Sequence, residues 1–118
     1  DRIKHDRLVL QQCLDAWNLA DAAKTASFYS SECDYRDPTV PTGVVGRAAF
    51  QRYLTVLFHR WPEQSWEEDL FMPHAQPGEY SVSYRFFFGN RKKGSSIEGR
   101  GMDYIRIEMD LFLETGYI

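Results

Sequence analysis

The dominant hydrophobic period of this chain changes around Pro62, and that change restricts what it can fold into. Before Pro62, apart from one short strand that ends at Pro38, apolar residues recur every three or four positions, the spacing of one helix face. From Ser65 onward they alternate, the spacing of a half-buried strand. Residues 3 to 19 carry Ile3, Leu10, Leu14 and Trp17 on a helical stripe with Cys13 beside them. Asp21 is placed to cap a second short helix over "AAKTASFYSS". A third helix restarts near Arg47, sets Phe50, Tyr53, Leu54, Leu57, Phe58 and Trp61 at successive helical spacings, and is closed by Pro62. Past the change, "SWEEDLFM" sets Trp66, Glu68, Leu70 and Met72 on one face. "EYSVSYRFFF" does the same for Tyr80, Val82, Tyr84, Phe86 and Phe88. The turn "GNRKKGSS" leads to a long strand from Ile97 to Glu108, a tight connection at Met109 and Asp110, and a last strand, "LFLETGYI". Helices first and strands second predicts an α+β fold in which a curved antiparallel sheet wraps segregated helices.

Length and charge exclude several functions. At 118 residues the chain has room for one core and not two, so a single domain over residues 1–118 is expected. A net charge of −3 supplies no basic field for a phosphate backbone, which argues against a nucleic-acid partner. The run Arg91, Lys92, Lys93 falls in a hairpin turn and reads as solvated. No apolar stretch approaches the roughly 20 residues that span a bilayer, and "DRIKHDRLVL" is too charged for a signal peptide, so a cytoplasmic protein without a membrane partner is expected. Cys13 and Cys33 are too few for a disulfide scaffold, and His5, His59 and His74 show no ligand spacing. Neither a metal nor a cofactor is expected.

Two acids stand out against this background. In "DYRDPTVPTGVVGR" the strand is stopped by Pro38, and alternation puts Tyr35 and Asp37 on one face and Asp34 and Arg36 on the other. Asp34 and Arg36 make a natural solvated pair, which leaves Tyr35 and Asp37 pointing inward. In "IEGRGMDYIRIE" the set Ile97, Gly99, Gly101, Asp103, Ile105 and Ile107 is apolar or glycine except at Asp103. Burial disfavours the charged form of such an acid and predicts a raised pKa. A carboxyl kept neutral can donate a hydrogen bond, while an ionised neighbour, here Asp37 near a loop mouth, can take a proton. The residues also allow a plainer arrangement, in which Asp103 pairs with Arg85, Arg100 or a tyrosine hydroxyl and Asp37 bonds its own loop amides.

The stretches "AWNLADAAKTASFYSSECDYRDP", "PTGVVGRAAFQRYL" and "GRGMDYIRIE", in that order and joined by "VSYRFFF", resemble the nuclear transport factor two-like superfamily, especially its SnoaL-like polyketide cyclase and ketosteroid isomerase branches. The resemblance implies a cone-shaped half-barrel with three N-terminal helices on a bent sheet, a deep apolar pocket, and commonly a homodimer. Carried over by position, Asp37 matches the general base of ketosteroid isomerase, Asp103 the neutral acid that binds the enolate oxygen, and Tyr29 a supporting tyrosine. The helix-one place of that family's main oxyanion tyrosine is held here by Cys13, a weak donor. The central-strand His and last-strand Asp of SnoaL-type cyclases are absent from "YSVSYRFFF" and "LFLETGYI", and Arg85 lacks the Asp two residues on that limonene epoxide hydrolase uses.

These readings predict a cofactor-independent acid–base enzyme of the isomerase, cyclase or dehydratase kind, acting on a small apolar carbonyl compound. Asp37 and Asp103 are its expected catalytic residues. Trp17, Tyr35, Tyr53, Leu57, Val82, Tyr84 and Phe86, on inward helical and strand faces, are expected to line the chamber with Tyr29. The alternative is a ligand-binding or dimerisation module of the same shape, with the same aromatics serving as core.

Overall fold

A computed structural model describes residues 1–118. The first helix, α1 (Arg2–Asn18), is capped by the Asp1 carboxylate, which accepts from the Ile3 amide at 2.9 Å. Its buried stripe is Asp6, Val9, Leu10, Cys13, Ala16 and Trp17, whereas Ile3, expected on that stripe, is 45% exposed. Asp6 takes the position one turn before Leu10. Its carboxylate accepts from the Tyr80 hydroxyl and pairs with Arg2 at 3.3 Å, and Arg2 also donates to the Ile107 carbonyl at 2.9 Å. An acid survives there because both its partners satisfy it: Arg2 one turn back on α1, itself bonded to β5, and Tyr80 on β4.

Asp21 caps α2 (Ala22–Ala26), donated to by the Lys24 amide at 3.0 Å. The helix stops well short of the expected Ser31. Tyr29 already belongs to β1 (Tyr29–Tyr35), and the Phe28 carbonyl accepts from the Phe112 amide at 2.9 Å, so ladder bonds to the last strand outcompete another helical turn. A two-residue β2 (Val44–Val45), absent from the sequence reading, pairs with the end of β1 before α3 (Arg47–Arg60).

The sheet continues with β3 (Glu63–Pro73), β4 (Glu79–Asn90), β5 (Ser95–Glu108) and β6 (Leu111–Tyr117), in the order β2-β1-β6-β5-β4-β3. It is mixed and not purely antiparallel, because β1 and β6 run parallel, closing the first strand onto the last. The β5–β6 turn needs left-handed backbone at Met109 (φ 50°) and Asp110 (φ 67°), as expected for a two-residue hairpin. On β3 the expected face is broken. A bulge at Asp69 shifts the register between Glu68 and Leu70, and the freed Leu70 amide donates to the Ser83 hydroxyl at 3.1 Å. The faces exchange there, leaving Leu70 56% and Met72 36% exposed while Phe71 turns inward to stack on Tyr80 at 4.5 Å.

The core lies between α1, α3 and the concave side of the sheet. Phe50, fully buried, is its hub, with ring centroids of Tyr29 at 4.4 Å and Tyr35 at 4.6 Å. Cys13 and Cys33 are buried free thiols. No helix is long and apolar enough to cross a membrane. Asp6→Ala leaves the buried Tyr80 hydroxyl without its acceptor and frees Arg2, so it should destabilise the fold by about 2–3 kcal/mol, measured by urea unfolding.

Candidate active site

The site is built where β4 and β5 face the end of α1. Tyr84 stands opposite Gly101 and Phe86 opposite Gly99. A Cβ at Gly101 would meet the Tyr84 hydroxyl at 2.7 Å, and one at Gly99 would meet the Phe86 ring at 3.1 Å, so each ring lies across the neighbouring strand in space that only glycine leaves. Laid over in this way, the Tyr84 hydroxyl reaches Asp103 and donates to Oδ1 at 3.0 Å.

These rings wall a cavity of about 510 Å³. All ten residues expected at a site border it: Asp37 and Asp103, with Trp17, Tyr29, Tyr35, Tyr53, Leu57, Val82, Tyr84 and Phe86. The sequence reading missed Thr39, Trp61, Trp66 and Thr115, which border it too. Trp66 carried a signal, since it opens the inward face of β3. Thr115 carried only its place in a period-two strand.

The two acids meet the cavity in different states. Asp37 accepts five hydrogen bonds. Oδ2 takes the Tyr53 hydroxyl at 2.6 Å and the Tyr35 hydroxyl at 2.8 Å. Oδ1 takes the Thr39 hydroxyl at 2.6 Å, the Thr39 amide at 2.8 Å and the Val40 amide at 3.2 Å. Burial alone would push this carboxyl up, but the donors from Thr39, Tyr53 and Tyr35 outweigh it and hold Asp37 below its ordinary value. Asp103 has one donor. Burial pushes its carboxyl up to about 7, with a smaller push from the charge of Asp37, and the single bond from Tyr84 only partly offsets them. The arginines considered as partners do not hold it: Arg85 pairs with Glu67 at 3.2 Å and Asp69 at 3.4 Å. Both plainer elements of the sequence reading are therefore present, a tyrosine bond to Asp103 and loop amides on Asp37, and both acids still border one cavity.

Cys13, also in the cavity wall, is pushed up to about 12 by burial, and its thiol donates weakly to the Tyr29 oxygen at 3.9 Å. It is neutral and already committed. No group of three or more His, Cys, Asp or Glu side chains is placed to hold a metal ion.

A bent sheet closed by three helices around a lined apolar cavity defines a cavity-bearing α+β domain. The chain belongs to the SnoaL-like domain family, whose profile matches residues 10–114, within the nuclear transport factor two-like superfamily. No curated protein sequence matches it. Among solved structures it is similar to the epoxide hydrolase/cyclase-like enzyme SalBIII of pyran ring formation in the polyether salinomycin, with a TM-score of 0.85 and 12% identity over 98% of this chain and 90% of that one. A Mycobacterium tuberculosis protein in complex with estradiol-17β-hemisuccinate has a TM-score of 0.79 and 13% identity over 93% of this chain and 89% of that one. A protein with a ketosteroid isomerase-like fold from Catenulispora acidiphila, in complex with trimethylamine, has a TM-score of 0.79 and 6% identity over 93% of this chain and 83% of that one. At these identities the likeness is one of fold.

Carbon-13 NMR of labelled aspartates should find Asp103 titrating near 7 and Asp37 below the ordinary 3.8. Tyr84→Phe removes a bond to the ionised form and should move Asp103 up, while Asp37→Asn removes a like charge and should move it down. Folded Asp103 keeps its proton to about pH 7 while the unfolded carboxyl releases it near 3.8, so within that window the folded state binds more protons. This contribution therefore makes stability fall as pH rises through the window and level off above it. Asp103→Asn should flatten that dependence and be more stable than the parent at pH 8, by urea unfolding at several pH values.

Proposed function

We propose that this domain is a cofactor-independent acid–base enzyme of the isomerase, cyclase or dehydratase kind, acting on a small apolar carbonyl compound held in the cavity. The observation that supports it most is the pair of carboxyls bordering one apolar space, one held ionised and the other pushed up to about 7. Environments that drive two acids apart in proton affinity suit them to opposite roles. Asp103, part-protonated at neutral pH, donates to the carbonyl oxygen and steadies the charge that develops there. Asp37, ionised, accepts the proton from the adjacent carbon. Its oxygens are already occupied, so it acts by releasing one donor. The Thr39 hydroxyl, on an exposed residue, is the one free to rotate away. Trp17, Tyr29, Tyr35, Tyr53, Leu57, Val82, Tyr84 and Phe86 hold the apolar body of the substrate. The similar structures described with estradiol-17β-hemisuccinate and for pyran ring formation support ring-bearing or ring-forming ligands.

The proposal includes a cytoplasmic homodimer packed through the outer sheet face, where Leu70 and Met72 are exposed. Light scattering at micromolar concentration should give twice the monomer mass, and a monomer would remove this element.

One observation favours a second reading, a ligand-binding module without catalysis: five donors leave Asp37 no free lone pair toward the cavity. Exchange of α-protons of 1-tetralone and similar cyclic ketones in D₂O, followed by NMR, separates the two. The enzyme should exchange them above the buffer rate, with Asp37→Asn and Asp103→Asn each lowering the rate by at least about 100-fold. Ketone binding with no enhanced exchange would leave the binding module standing.

A further inference from the structure

Two buried hydroxyls in this protein have no hydrogen-bond partner, those of Thr25 and Thr115. Thr25 lies in α2, outside the cavity wall, whereas Thr115 is part of that wall and only 5% exposed. On β6, Thr115 is flanked by Tyr35 of β1 and Ile105 of β5, and two residues along the same strand Tyr117 faces Asp103. Thr115 and Asp103 are thus diagonal neighbours on the concave face, roughly 7 Å apart along the backbone. The Thr115 hydroxyl as placed is closed off from open space, and a turn about χ1 brings it to the side from which a ligand oxygen beside Asp103 would be approached. Several other polar groups of the wall are engaged: Tyr35 and Tyr53 on Asp37, Tyr84 on Asp103 Oδ1, Cys13 on Tyr29.

A buried hydroxyl left unpaired destabilises a fold, and native proteins keep few of them. We propose that Thr115 is a ligand-binding residue, the second donor to the same ligand oxygen that Asp103 binds. The ligand is therefore an acceptor such as a ketone, enolate or phenolate, and not a hydrocarbon or an amine. Rotation about χ1 exchanges the threonine methyl and hydroxyl in nearly the same volume, so the group can turn to the ligand without repacking. This inference rests on the donor role of Asp103 given above.

The test compares 2-naphthol with naphthalene, matched in shape and differing in one oxygen, by quenching of Trp17, Trp61 and Trp66, which all border the cavity. Thr115→Val should raise the naphthol Kd about tenfold and leave naphthalene within about twofold, while Thr115→Ser keeps wild-type affinity for both. Having lost only an unpartnered hydroxyl, Thr115→Val should also melt no lower than the parent. Wild-type naphthol affinity in Thr115→Val, or equal weakening of both ligands, overturns the proposal. Thr115→Ala gives the same comparison if the valine variant does not fold. Asp103→Ala separates the two readings: if it abolishes the preference for naphthol and the Thr115 variants do not, only the role of Thr115 fails. If wild type shows no preference, both fail.

Discussion

The three helices leave part of the concave side of the six-stranded sheet as a lined cavity that is not filled. Flexible aliphatic side chains would collapse into such a space. Aromatic rings brace one another across it. One group is centred on Phe50, with Tyr29, Tyr35, Tyr53 and Trp17 around it; the other runs along β3 and β4 through Trp66, Tyr84, Phe86 and Phe88. The groups meet where Trp17 and Trp66 lie 5.1 Å apart. Rings have few torsions to lose and large surfaces to bury, so they hold a cavity open at less entropic cost than leucine or methionine would.

The same rings decide what the two acids are. Tyr35 and Tyr53 belong to the Phe50 group and turn their hydroxyls to Asp37, so the packing that shapes the cavity also holds that carboxylate ionised. The cost appears on the phenols, both raised, first by burial and also by the anion they face. Asp103 sits on a strand whose nearest inward neighbours on one side are glycines, and it has one phenol where Asp37 has two plus a loop. Burial therefore wins at Asp103 and hydrogen bonding wins at Asp37, within one cavity.

Much of this was legible in the sequence, because it depends on period alone. The inward faces of β4 and β5, the acid at Asp103, the pairing of Asp34 with Arg36 and the direction of Tyr35 and Asp37 all follow from alternation. What failed depended on partners distant in sequence. The bulge at Asp69 is sustained by Ser83 and Arg85 on the next strand, so a reading of "SWEEDLFM" alone could not place it. The shortening of α2 is imposed by β6, some eighty residues later, and the same strand made the sheet mixed. Saturation of Asp37 needed Tyr53 on α3, and the unpartnered hydroxyl of Thr115 is a property of everything around it.

Three acids on apolar or inward faces differ in how far the protein has completed their hydrogen bonding. Asp6, Asp37 and Asp103 each occupy positions where period predicts an apolar side chain or an inward one. Asp6 is tied to Arg2 within α1 and to Tyr80 on β4 and does not border the main cavity, so its bonds are structural. Asp37 borders the cavity but has every oxygen site taken, and can react only by giving up a bond. Asp103 borders it with one bond made and an oxygen left over. Burial alone does not separate them, since Asp6 is the most buried of the three. What separates them is whether unfilled space lies before a carboxyl whose hydrogen bonding the protein has not completed, and only Asp103 meets both conditions.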